Sequence, residues 1–261
     1  MGSLAGKSPS STYKSLLKVA DETNGVSTST SQIEDGEGTS TCLSVSDDNL
    51  SIQPQNDNSV ATLQVRNASG TTIFRADTSN SVCKVGSTLT PANSQILEFH
   101  AKTLVPTGAG THMFVGRAMA SYSLSAVETS CGTGTDPDTT LDAGAATDDL
   151  LQNLFIVPVN STIDACKFMV STVSDTDCTL NVHLYKFTMT NAGSTDDGNL
   201  TGGTLLASGQ ATAVDRNVIK TVDCTINSSA VSAGEVIACF VENETNTNSI
   251  FIQTQVLYHF N

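Results

Sequence analysis

Ile250-Phe251-Ile252-Gln253-Thr254-Gln255-Val256-Leu257-Tyr258-His259-Phe260 alternates over eleven residues. Ile250, Ile252, Thr254, Val256, Tyr258 and Phe260 share one face, while Phe251, Gln253, Gln255, Leu257 and His259 share the other. A period of two in β-branched and aromatic residues predicts a strand. Cys178, Leu180, Val182 and Leu184 alternate in the same way, with Asn181 and His183 between them. Val236-Ile237-Ala238-Cys239-Phe240-Val241 is apolar on both faces, which predicts a central strand covered twice. Working outward, strands are predicted over 96–104, 113–124, 154–159, 165–173, 179–189, 204–213, 218–226, 235–242 and 249–260. The polar stretches 132–149 and 190–203 read as long loops. Eight or nine strands within 94–261 predict an all-β head domain, a β-sandwich of jelly-roll type.

Composition agrees with this class. The 261 residues suffice for one large domain or two smaller ones. Only 15% are charged, 38% are hydrophobic, and Trp is absent. Ser, Thr, Asn, Asp and Gly fill the polar share, and they favour turns and strands over helices. A net charge of −14, with twelve basic residues scattered singly, argues against nucleic acid as a partner. No apolar run approaches the ~18 residues of a membrane helix, so no membrane insertion is expected. The N-terminus lacks the apolar core of a secretory signal. Seven cysteines, at 42, 83, 131, 166, 178, 224 and 239, form no Cys-x-x-Cys pair. They read as small hydrophobes in a chain that folds in a reducing cytoplasm.

The chemistry-bearing residues form no constellation. His100, His112, His183 and His259 are not spaced as metal ligands, and each is expected at the surface or the core edge. There is no nucleophile elbow and no phosphate loop. Asp136, Asp138, Asp142, Asp148 and Asp149 crowd one loop and Asp196-Asp197 another, without the spacing of a calcium loop. A carboxylate pair of the glycosidase kind would want aromatic rings for the sugar, and aromatics are 5%. The expectation is no enzyme, no catalytic residue, no cofactor and no metal.

The N-terminal third is organised differently. Ser10 or Ser11 caps a predicted short helix in which Tyr13, Leu16, Leu17 and Ala20 share a face. A helix of about ten residues is marginal alone, so Tyr13, Leu16 and Leu17 are expected to dock on a partner. Residues 21–58 are polar, with short strands around Leu43, Val45, Leu50 and Ile52. From 59 to 86 the pattern sharpens. Val60, Leu63 and Val65 lead into the turn Asn67-Ala68-Ser69-Gly70. Ile73 and Phe74 follow, then the turn Asp77-Thr78-Ser79-Asn80, then Val82, Cys83 and Val85 before Gly86. Three strands this short cannot bury a core, but three copies around an axis can. Leu63, Val65, Phe74, Val82 and Val85 are the expected trimer core. The predicted division is an attachment segment at 1–58, a short trimeric β shaft at 59–93 and a head at 94–261.

The run from Leu63 to Gly86 resembles the shaft repeat of phage fibre and appendage proteins. In that family one strand ends in Asn/Asp-x-x-Gly, the next holds an aromatic and an Asp before a turn, and the third carries alternating valines. The stretch from Gly6-Lys7 through Tyr13-Lys14-Ser15-Leu16-Leu17 to Glu34-Asp35-Gly36 is similar to the start of structural proteins from marine phages. The succession 155–159, 166–173, 178–187 looks like the trimeric head domains of phage fibres. The resemblance implies a homotrimer in the virion, assembled in the host cytoplasm. Its N-terminus would join other virion proteins of tail or capsid, and its head would face a host cell-surface glycan or protein. Two other readings stay open: a capsid decoration (cement) protein, and a carbohydrate-binding or carbohydrate-cleaving appendage.

Overall fold

The computed structural model describes residues 16–21, 23–86, 88, 90–117, 131–142, 153–190 and 199–261, and every element named in it is a β-strand. The chain divides into two compact units, 1–92 and 93–261.

The N-terminal unit holds two four-stranded antiparallel meanders. The first is β1 (Lys18–Val19), β2 (Ser31–Glu34), β3 (Ser40–Val45) and β4 (Leu50–Ile52). The second is β5 (Leu63–Arg66), β6 (Thr72–Asp77), β7 (Val82–Val85) and β8 (Thr90–Pro91). Each strand pairs only with its neighbours in the chain. The turns follow from local chemistry. Asn67 Oδ1 accepts the N–H groups of Ser69 and Thr71, and Gly70 takes φ +85°. That left-handed position is one glycine occupies without strain.

The predicted helix is corrected at its described end. Tyr13 lies outside the described residues. Leu16 and Leu17 are not helical, and Lys18–Val19 is a strand. Lys18 pairs with Glu34 in the register, their side chains 3.2 Å apart, and Ala20 N–H donates to Gln32 O at 2.8 Å. A neighbouring strand offers these residues backbone bonds that a short helix cannot match.

The C-terminal unit contains β9 (Ser94–Leu104), β10 (His112–Val115), β11 (Leu141–Asp142), β12 (Phe155–Ile156), β13 (Ser161–Thr172) and β14 (Cys178–Thr190). Then come β15 (Asn199–Val214), β16 (Lys220–Asp223), β17 (Thr225–Ile226), β18 (Ala230–Val231), β19 (Val236–Asn243) and β20 (Ile250–Phe260). One sheet runs β16-β13-β20-β9, with β18 beside β13. The other runs β10-β19-β14-β15-β11, with β12 and β17 beside β19 and β15. Long strands switch sheet as the chain advances, which is the connectivity of a jelly roll. Between the sheets lie Phe99, Phe168, Ile252 and Val256 from one side and Leu180, Val182, Leu184, Cys239 and Val241 from the other.

The second sheet is covered on both faces. Its outer face buries Phe114, Cys131, Leu141, Leu154, Tyr185, Phe187 and Phe240. Residues 131–142 cross that face as a strap. Gly132 O accepts from His112 N–H at the β10 edge, and Thr139 O accepts from Gly203 N–H at the β15 edge. Accordingly β19 is buried at every position, as its two-sided apolar sequence predicts. Two predicted strands differ in extent. The one over 113–124 ends at Val115, with 118–124 outside the described residues. The one over 218–226 is split at Cys224.

Candidate functional site

In the second meander the register decides which side chains meet. Val65 pairs with Phe74, and Phe74 with Val85. Leu63 pairs with Ala76, and Ala76 with Cys83. Because strand side chains alternate, these six lie on one face. The face is apolar throughout and open, with Val65 45% and Val85 41% exposed. Leu63, Val65, Phe74 and Val85 therefore share one face of the meander. Val82 does not: it pairs with Asp77, an odd number of residues from Phe74, so it lies on the opposite face.

That opposite face is held by charge. Asp77 is buried, and its Oδ1 accepts the Asn80 N–H at 3.0 Å and the Asn80 side-chain amide at 3.1 Å. Lys84 Nζ stands 3.3 Å from Asp77 Oδ2 and Arg75 4.0 Å. Burial alone would raise the Asp77 carboxyl, but the Asn80 hydrogen bonds and the Lys84 ammonium outweigh it and hold it below its ordinary value.

Among the described residues the whole N-terminal unit buries no hydrophobic side chain; its two buried residues are Ser46 and Asp77. Leu16 and Leu17, predicted to dock on a partner, are exposed.

The head carries a polar cluster of a different kind. His112, Glu242, Asn181 and Gln210 form one cross-strand row over β10, β19, β14 and β15. His112 Nε2 stands 3.4 Å from Glu242 Oε2, which accepts Asn181 Nδ2 at 3.0 Å. Asn181 Nδ2 also reaches Glu244, and Asn181 Oδ1 accepts from Gln210 Nε2 at 2.9 Å. In the next row His183 brings its ring to 5.2 Å from that of His112, and its Nε2 is 3.9 Å from Asp136 on the strap. Burial first, then the His112 ring, pushes the His183 imidazole down to about 4, against the pull of Asp136. Burial, followed by Asp136, pushes the Tyr185 hydroxyl up to about 12. Both shifts favour neutral groups under the strap. The cluster is packed structure: His112 is fully buried, and no three His, Cys, Asp or Glu side chains among the described residues form a metal site.

His112 and His183 correct the expectation of surface or core-edge histidines. They are far apart in sequence, and only the register of β10, β19 and β14 joins them. The strap over them is rich in Thr, Asp and Gly, so its sequence reads as an ordinary loop. Asp136 and Asp138 lie on that strap, whereas Asp148, Asp149, Asp196 and Asp197 fall outside the described residues. Cys42 and Cys83 are exposed, whereas Cys131, Cys166, Cys178 and Cys239 are buried, as small apolar side chains would be.

No family model and no curated protein matches the chain. Among solved structures it is similar to a CocE/NonD family hydrolase from Staphylococcus aureus, at 11% identity and a TM-score of 0.30. That alignment covers 69% of this chain, and the chain spans only 39% of the hydrolase's length. It is also similar to a structure of Desmodium yellow mottle tymovirus, at 12% identity and a TM-score of 0.24, over 64% of this chain and 86% of that one.

Proposed function

We propose that this protein is a non-enzymatic virion appendage: a homotrimeric fibre anchored through its N-terminal segment and carrying the jelly roll as its head. One observation carries the oligomeric part. The N-terminal unit folds into two meanders yet buries no apolar side chain among its described residues in a single chain. Small sheets need a buried face for stability, and this one has to be supplied from outside. The virion assignment and the threefold number rest on the resemblance of Leu63–Gly86 to a fibre shaft. Exposed Leu16 and Leu17 suit an anchor that is covered when the protein joins a particle.

Light scattering of the purified protein at micromolar concentration tests this. A mass near three times 27.1 kDa is expected. A monomer would remove the fibre reading, and a dimer would remove the threefold axis.

A further inference from the structure

The first meander repeats the second. Its β2–β3 turn is Asp35-Gly36-Glu37-Gly38-Thr39, and 32 residues later the β5–β6 turn is Asn67-Ala68-Ser69-Gly70-Thr71. In both, Oδ1 of the first residue accepts the N–H groups of the third and fifth. In both, the fourth residue is a glycine at φ +85° whose N–H returns to the first carbonyl, at 3.1 Å and 2.9 Å. The spacing persists through the next hairpin. Val45 pairs with Leu50 and Leu43 with Ile52, as Asp77 pairs with Val82 and Arg75 with Lys84. The backbone is one module used twice, with the apolar side turned over. Leu43, Val45, Leu50 and Ile52 stand where the second copy has its charged face.

We propose that the first meander is a second self-docking surface, on which Leu43, Val45, Leu50 and Ile52 are covered by further copies of this chain. The inference rests on the oligomeric reading above and extends it to a surface outside the predicted shaft. Leu50 is 67% exposed in the single chain. The four side chains and their row and strand neighbours Ser31 and Thr41 carry no charge. A chain of net charge −14 repels its copies, so close contact needs uncharged faces, and each copy brings the same one. Area points the same way. Three strands about 4.8 Å apart, each roughly five residues long at about 3.4 Å per residue, give about 250 Å² per face. A stable interface takes about 800 Å² from each partner. One meander falls far short, and two come much closer.

The test uses the full chain, wild type and a Leu43→Glu/Leu50→Glu variant, with Asp47→Lys in the adjoining turn as a control for altered charge. Mass against concentration and backbone hydrogen exchange are read together. Wild type is expected to be oligomeric, with slowed exchange in 31–53 as well as 63–85. The double variant is expected to speed exchange in 31–53 and to raise the dissociation midpoint at least tenfold, with the head's exchange unchanged. Asp47→Lys should do neither. An oligomer with rapid exchange in 31–53, or a double variant with the wild-type midpoint, overturns this inference and leaves the oligomeric reading standing. A monomeric wild type overturns both.

Discussion

Gly209 sits on the inner face of β15, in the row of Met113, Val241 and Val182. A Cβ there would meet Phe168 Cε1 at 2.8 Å, Cys224 Sγ at 3.2 Å and Val222 Cγ1 at 3.3 Å. The missing methyl is what lets the two sheets of the jelly roll close at this point. Gly209→Ala is expected to overpack the core and lower stability by about 1–3 kcal/mol, seen as a lower melting temperature. His183 makes a prediction in pH. Its folded value, about 4, lies below the 6.5 of the unfolded chain. The unfolded state therefore binds the proton more tightly, and this contribution is complete above about pH 6.5. It fades as pH falls towards 4, by about 2–3 kcal/mol at pH 4.5. Denaturant unfolding of wild type and His183→Gln at pH 7 and 4.5 checks this: the wild type should lose more. Equal losses would clear His183.

At the scale of elements, the second meander separates two apolar residues, Phe74 and Val82, to which its sequence assigns the same role. Phe74→Ala removes the centre of the Val65–Phe74–Val85 row, whereas Val82→Ala changes the charged face beside Asp77. If the apolar face is buried between copies, Phe74→Ala should cost about 3–5 kcal/mol per chain and dissociate the oligomer. Val82→Ala should leave its mass unchanged. Equal behaviour of the two variants would put the interface elsewhere. Much of the head was legible because its long strands alternate: β14 and β20 fall almost where their patterns place them. The burial of Asn181 and His183 was not legible, since it depends on a strap whose sequence shows no period. The first meander was only partly legible. Its apolar residues are few, and its kinship with the second resides in turn geometry and register, with little shared side-chain type. Val82 falls on the face opposite Phe74, and its sequence does not show this because apolar residues on short strands do not reveal which neighbour they will face.

For the whole molecule, the two units differ in what holds them. The C-terminal unit has two cores and should fold when expressed as residues 93–261 alone. Residues 1–92 alone, diluted below any self-association, should show unprotected amides in hydrogen exchange. Slow exchange in a dilute monomer of that fragment would contradict the account given of its stability. The proposed anchor is separable again. Tyr13→Ser/Leu16→Ser/Leu17→Ser is expected to keep the oligomeric mass while losing incorporation into particles, measured as copies per particle. Normal incorporation would place the attachment point elsewhere in the chain.

The place of β20 governs the order of events during synthesis. It lies between β13 and β9, pairing His259 with Ser94 at one end and Ile250 with Leu104 at the other. Until those late residues are made, two long strands wait with unpaired edges, the condition in which growing chains adhere to the wrong neighbour. The meanders need only adjacent strands, and contacts close in sequence form soonest. If copies dock through their meanders as proposed, neighbouring chains on one message would meet through finished meanders while their heads are still open. Such early pairing would hold each incomplete head beside its proper companions.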